Sequence, residues 1–246
     1  MGLRLYETEP GRSTALATVT ARRGDAFALD RTLFRPRSRA FRHPQRADEG
    51  EIRVHGGDKH RVVGVFEDGG EVWHRTEGPP PGVGARVQCA LDALRRALDS
   101  RAHTALHLLL AALQAPVDLP LAADPEVKGG GRFRLDLAAP YVPPPRLADA
   151  LRRVAGHVAA DLPVSRGHIA ADEAARRLTP QAFLPPDPYP GPPGTSWPVA
   201  EVPGVCTYPC DGTHCARTGD VGRVVLREAR RAGDRFLLVG EVGPAP

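Results

Sequence analysis

A chain of 246 residues with 41% hydrophobic and 25% charged residues holds enough apolar material for a packed core without disulfides. Its 26 glycines and 26 prolines stay together below the ~25–30% that marks low complexity, which excludes disorder as the main state. The net charge is +4 and Lys59 and Lys128 are the only lysines, so the positive charge is almost all guanidinium, a rigid fork that suits phosphate. The 4 cysteines are too few for a disulfide scaffold.

The opening MGLRLYETEP lacks the apolar run of a secretory signal, so a soluble, cytoplasmic protein is expected. Leu16–Thr20 and Ala26–Leu29 read as strands joined at Arg23-Gly24-Asp25, a turn signal. His60–Phe66 and Glu71–His74 flank Asp68-Gly69-Gly70 in a second hairpin pattern. Gly78–Gly82 then precedes a strand at Ala85–Cys89. Closely spaced hairpins with Gly/Pro punctuation predict a small β-barrel or sandwich.

The pattern changes near residues 90–98. Asp99 or Ser100 caps a predicted helix over Arg101–Leu113, with Leu106, Leu109, Leu110 and Leu113 on one face. Its apolar stretch contains His107 and soon meets Pro116 and Asp118, so no membrane span is expected. Gly131–Leu137 alternates like a strand, and Leu147, Leu151, Val154 and Val158 give a helix over Arg146–Asp161. A short helix at Ala171–Leu178, a proline-rich Leu184–Gly194 and a hairpin of Arg223–Arg230 with Arg235–Val239 complete the chain. The fold class expected is α+β: an N-terminal small β-barrel over 1–95, then an α+β domain over 96–246.

Two short constellations carry chemistry. His103 and His107 are four apart on the predicted helix, so their imidazoles stack on one face, one turn apart. Cys210 and His214 sit across a Gly-containing turn with the same spacing. Each pair alone is weak, since two histidines often fall four apart in a core. Together they offer three nitrogens and one sulfur, a set that suits Zn²⁺. Cys206, four residues before Cys210, could compete as a ligand.

The wording around these pairs is familiar. His103-Thr-Ala-Leu-His107-Leu-Leu and Cys210-Asp-Gly-Thr-His214, followed by Thr218-Gly219-Asp220-Val221-Gly222, resemble the two motifs of the alanyl-tRNA synthetase editing domain. Leu29-Asp30-Arg31-Thr32-Leu33-Phe34 matches its LDxTxF element, and Leu91-Asp92 with Arg95-Arg96, then Phe133–Leu137, fall in the same order. The resemblance covers nearly the whole chain and points to free-standing editing proteins of the AlaX type that carry an N-terminal β-barrel.

It implies a zinc-dependent aminoacyl-tRNA deacylase that hydrolyses the ester of mischarged tRNA in trans, Ser-tRNA or Gly-tRNA of the alanine acceptor. One Zn²⁺ per chain on His103, His107, Cys210 and His214 is implied, with the acceptor end of tRNA as partner and no role for membrane or DNA. Thr104, Thr213, Asp30 and Gln45 are the substrate-binding candidates. Either threonine could instead hold a metal ligand in place.

Two departures from the family stand out. Its glycine-rich segment ending in Gln is replaced by Arg35–Gln45, which has no glycine and should reshape the pocket, because Gly permits close backbone approach. Asp211 stands where the family has a small residue, either assisting a zinc-associated water or capping the turn. The run Arg35, Arg37, Arg39, Arg42 and Arg46, interleaved with Phe41, is the candidate tRNA contact, since single strands stack on aromatics.

Four protein ligands describe a closed site. Catalysis then needs a fifth position, a displaced ligand, or a metal that anchors substrate while water attacks from elsewhere. Three alternatives stay open: the same chemistry on a threonine-like or non-proteinogenic aminoacyl-tRNA, a non-catalytic zinc-stabilised RNA-binding module, and a hydrolase of small amino-acid esters. The oligomeric state is not legible.

Overall fold

The computed structural model describes residues 2–37, 45–114, 123–139, 141–178 and 194–244. The chain folds as a sheet-rich α+β structure and divides into two compact units. One comprises Met1–Arg37 with Arg46–Arg96, the other Ser38–Gln45 with Ala97–Pro246.

In the first unit, β1 (Leu3–Arg4) pairs with β4 (Arg31–Thr32) beside the one-turn α1 (Leu5–Thr8). The strands β2 (Thr14–Arg23), β3 (Ala26–Leu29), β5 (Gly50–Val54), β6 (Lys59–Asp68), β7 (Glu71–Thr76) and β8 (Arg86–Leu91) close into a barrel in the order β2-β3-β7-β6-β5-β8. The β2–β3 turn is where it was expected, and Gly24 adopts φ 61° there, a conformation that a Cβ would strain. Bulges at Val19/Ala21 and Val62/Gly64 bend the strands, as closure of a small barrel demands. Alternate residues point inward, so Val19, Phe27, Leu29, Ile52, Val62, Val65, Val72 and Val87 form the interior. His74 joins them fully buried, its Nε2 2.7 Å from Thr32 Oγ1 and its ring stacked on Phe27.

A buried ion pair anchors this unit. Arg96 Nε donates to Asp48 Oδ1 at 2.8 Å and its Nη2 to the Leu33 carbonyl at 3.0 Å. Asp48 also accepts the Arg35 backbone N–H at 2.5 Å.

Helix α2 spans Ala93–Gln114, two turns longer at its start than Arg101–Leu113. The cap is Asp92, whose Oδ1 accepts the Arg95 N–H at 3.0 Å, so Asp99 and Ser100 lie inside the helix. From Ala102 to Leu113 every residue is buried, where one apolar face was expected.

In the second unit, β9 (Ala123–Gly129), β10 (Arg132–Leu137), β14 (Val224–Ala232) and β15 (Arg235–Val242) form an antiparallel sheet in the order β14-β15-β10-β9. Leu106, Leu109 and Leu113 of α2, Val154 of α3 (Pro144–Ala159), Phe133 and Leu135 of β10 and Leu238 of β15 share one core. A second sheet, β11 (Ser165–Ala170), β12 (Ser196–Val202) and β13 (Cys206–Pro209), carries α4 (Ala171–Arg177). Strand β13 delivers the chain to Cys210. The proline-rich Leu184–Gly194 lies outside the described residues except for Gly194. Among the described residues no helix is long and apolar enough to cross a membrane.

Candidate metal centre

Buried helix α2 presents His103 and His107, 1% and 2% exposed, one turn apart on one face. The Cys210 N–H donates to the Pro198 carbonyl at 2.9 Å, which fixes the loop after β13 against β12. The loop then turns back and brings Cys210 and His214 to the two helical histidines. The ligand atoms of all four lie within 4.8 Å of one another. Cys210 Sγ is 3.4 Å from His103 Nε2 and 3.2 Å from His214 Nε2. The three imidazole centroids are 4.4–4.8 Å apart.

Hydrogen bonds hold His103 and His214 from behind, and packing holds His107. His103 Nδ1 lies 3.2 Å from Gln45 Oε1, an acceptor, so Nδ1 carries the proton and Nε2 is left to face the cluster. The same Oε1 accepts the Thr213 N–H at 2.9 Å, and Gln45 Nε2 donates to Thr213 Oγ1 at 2.7 Å. His214 Nδ1 lies 3.2 Å from Thr104 Oγ1. That hydroxyl donates to the Ser100 carbonyl at 2.9 Å and accepts the Cys215 N–H at 3.1 Å. His107 packs edge-on against Tyr208 at 5.2 Å, and Tyr208 Oη donates to Gln114 Oε1 at 2.8 Å. Burial raises the Tyr208 phenol well above its usual range. The Gly212 N–H donates to Cys210 Sγ at 3.3 Å, which favours the thiolate.

The donor set fits a zinc ion. Zn–N near 2.05 Å and Zn–S near 2.3 Å at tetrahedral angles put ligand atoms ~3.6 Å apart, close to the S···N distances found. Imidazoles anchored at their far nitrogens by acceptors are the usual support of a zinc site. Cys206 stands outside the cluster of four. Burial pushes its thiol up to about 12 and that of Cys215 up to about 11.

The other site candidates fall as follows. Thr104 spends its one donor and both acceptor positions on the contacts above, so its hydroxyl holds His214. Thr213 Oγ1 accepts from Gln45 and from Ser100 Oγ at 2.9 Å, and its own proton remains to donate. Asp211 sits half-buried in the turn. Asp30 belongs to the first unit, where Oδ1 accepts the Thr18 N–H at 2.7 Å and Oδ2 the Arg31 Nε–H at 3.2 Å.

Of the arginines read as an RNA contact, Arg35 is only 2% exposed and its Nη2 donates to the Arg46 carbonyl at 2.8 Å. It braces its own unit, and no guanidinium face is left at the surface. Arg37 and Arg46 are exposed. Arg39, Phe41 and Arg42 lie outside the described residues. Sequence position marks Ser100 only as a helix cap and gives no signal for Tyr208. Nothing in local spacing marks either, because their partners are distant in sequence.

No family model matches the chain. It is 32% identical over 219 residues to the alanine–tRNA ligase of Methanopyrus kandleri, an alignment that covers 86% of this chain and 22% of that protein. It is 31% identical over 237 residues to the alanine–tRNA ligase of Thermofilum pendens, with 95% of this chain and 25% of that protein covered. Frankia alni has an alanine–tRNA ligase 33% identical over 163 residues, 65% of this chain and 18% of that protein. The chain therefore spans about a quarter or less of the length of these relatives.

Proposed function

We propose that the protein is a zinc-dependent deacylase that hydrolyses mischarged alanine-acceptor tRNA in trans, Ser-tRNA first among its substrates and Gly-tRNA second. In this reading residues 1–95 are a barrel domain and residues 96–246 the editing domain, of the free-standing AlaX type. The observation that carries it is the convergence of His103, His107, Cys210 and His214 in a chain that aligns along most of its length with alanine–tRNA ligases.

Those four residues would hold the ion. Bound there, zinc supplies a Lewis acid for an ester carbonyl or lowers the pKa of water to ~7. Gln45 and Thr104 keep His103 and His214 in the Nδ1–H form, so that neither ring turns its protonated nitrogen to the ion. Thr213 offers its hydroxyl proton to the aminoacyl group. A site that hydrogen-bonds a substrate hydroxyl rejects the analogue without it by up to ~10⁴–10⁵, so a donor or acceptor for the seryl hydroxyl would spare Ala-tRNA.

The test is deacylation of tRNAs charged with Ser, Gly, Ala, Thr and a threonine analogue, with bound zinc measured alongside. Release of Ser from alanine-acceptor tRNA is expected, lost in His107→Ala together with zinc. Release confined to threonine-like charges would replace the substrate and keep the chemistry. Zinc bound with no release from any of them would refute the enzyme reading.

A further inference from the structure

The barrel has a cavity of its own, lined by none of the residues of the metal cluster. On its outer face, β2, β8 and β5 lie side by side, and a cavity of about 350 Å³ opens among Leu16, Arg53, His55, Arg86 and Gln88. That size falls at the lower end of ligand pockets, ~300–1,000 Å³. The register builds it. Leu16 stands opposite Gln88, and Gln88 opposite Arg53, so the three form one outward row across three strands. Arg86, two residues before Gln88, shares that face. It is the diagonal neighbour of Arg53, a spacing of ~7–8 Å across an antiparallel pair.

The charge there is uncompensated. Several arginines of this unit are matched to carboxylates: Arg4 to Glu67, Arg23 to Asp68, Arg75 to Asp25 and Arg95 to Glu49. Among the described residues Arg53 and Arg86 form no ion pair, and no residue lining the cavity is acidic. The nearest carboxylate along the strand, Glu51, is taken by Lys59. Two like charges on neighbouring strands are unfavourable unless an anion joins them. A phosphate accepts from both forks at once. Leu16, 65% exposed at the rim, gives that anion an apolar neighbour, which inorganic phosphate cannot use and a nucleotide can.

We infer that this barrel pocket grips one backbone phosphate of an RNA strand between Arg53 and Arg86, with the sugar or base of that nucleotide against Leu16. The inference rests on the proposal that tRNA is the partner, and adds a contact on the barrel to that partner's recognition.

The experiment is binding of labelled, uncharged alanine-acceptor tRNA by fluorescence anisotropy across a salt series, with deacylation run in parallel. Four proteins are compared: wild type, Arg53→Gln with Arg86→Gln, Leu16→Ala, and Arg152→Gln with Arg153→Gln. The last removes the same charge from the exposed face of α3. The barrel double variant should bind about tenfold more weakly, and its plot of log affinity against log salt should be shallower by ~0.7–0.9, one phosphate's share. Leu16→Ala should weaken binding with the slope unchanged, and the α3 pair should leave both near wild type. Wild-type affinity and slope in the barrel variant, with deacylation intact, would overturn this inference and leave the proposed function standing. Equal losses in the two double variants would also overturn it, as they indicate a diffuse field. A wild-type protein that neither binds nor deacylates tRNA would remove both readings.

Discussion

Gly212→Ala probes how tightly the loop after β13 is fitted to the helical histidines. A Cβ there would stand 2.1 Å from His103 Cε1, 2.4 Å from its Nδ1 and 2.8 Å from Gln45 Oε1. Carbon atoms in contact sit ~3.5–4.0 Å apart, so the imidazole or the turn must shift by about 1.4 Å. A surface histidine would swing aside. His103 is 1% exposed, tied at Nδ1 to Gln45 and faced at Nε2 by Cys210 Sγ. Metal–ligand distances tolerate about ±0.2 Å, so the shift breaks either the His103 position or the Cys210–His214 turn. Loss of a supporting partner alone lowers metal affinity ~10–100-fold. With a ligand displaced as well, a loss of at least ~100-fold, or about 2.7 kcal/mol, is expected. Gly212 is not among the positive-φ residues, so backbone preference does not enter. Zinc competition against a chromophoric chelator reads the affinity, and circular dichroism reports the fold. Gly24→Ala is the converse control, because φ is 61° there with no neighbour within 4 Å. It should cost about 1–2 kcal/mol of stability and leave zinc affinity alone. One zinc bound to Gly212→Ala at wild-type affinity would refute the reasoning.

Gln45→Leu removes the acceptor shared by His103 Nδ1–H and the Thr213 N–H and should weaken zinc binding ~10–100-fold, with Gln45→Glu losing less in the same chelator competition. His74 is held down at about 4 from 6.5 by burial, so the folded barrel refuses a proton that the unfolded chain accepts. Its contribution is complete above pH 6.5 and is lost as pH falls from there through 4, by about 3 kcal/mol in all; amide exchange of the barrel strands, once divided by its pH-dependent intrinsic rate, should show lower protection at pH 4.5 than at pH 7, and unchanged protection factors would contradict this. Arg96→Met strands Asp48, 8% exposed, and should destabilise the first unit by about 3–5 kcal/mol in urea unfolding.

What was legible in the chain follows the range of the interactions involved. Two histidines four apart on a helix, and a Cys and His four apart on a turn, are local patterns, so the cluster could be assembled from spacing and resemblance. The start of α2 could not. Asp99 and Ser100 look like caps, yet they are 5% and 7% exposed, and Ser100 spends its hydroxyl on Thr213, 113 residues away. Prolines hid other strands: Pro125 in β9 pairs with Leu135, and Pro198 in β12 with His168, although proline usually argues against a strand interior. Strand β11 is mostly exposed and shows no alternation to read. The arginine run misled at Arg35, since composition cannot tell a solvated guanidinium from a buried one bonded to a carbonyl. The role of Gln45 was equally hidden, because its partners lie 58 and 168 residues away.

The hydrogen bonds behind the cluster bear on what a ligand substitution reports. Helix α2 supplies two of the four candidate ligands and also orients a third. Thr104 donates back to the carbonyl of Ser100 one turn earlier, which frees both lone pairs of Oγ1 for the His214 Nδ1–H and the Cys215 N–H. Gln45 does the same for His103 while it holds the Thr213 backbone. The loop is thus bonded to the helix at Thr213 and Cys215 by contacts that involve no ion. The surrounding core of leucines and Phe133 needs no metal to form, unlike that of a small zinc finger. Removing one imidazole should therefore empty the centre of zinc while the loop stays closed. That is why loss of both zinc and turnover in His107→Ala, with the fold retained, separates a role for the metal in chemistry from a role in holding the protein together.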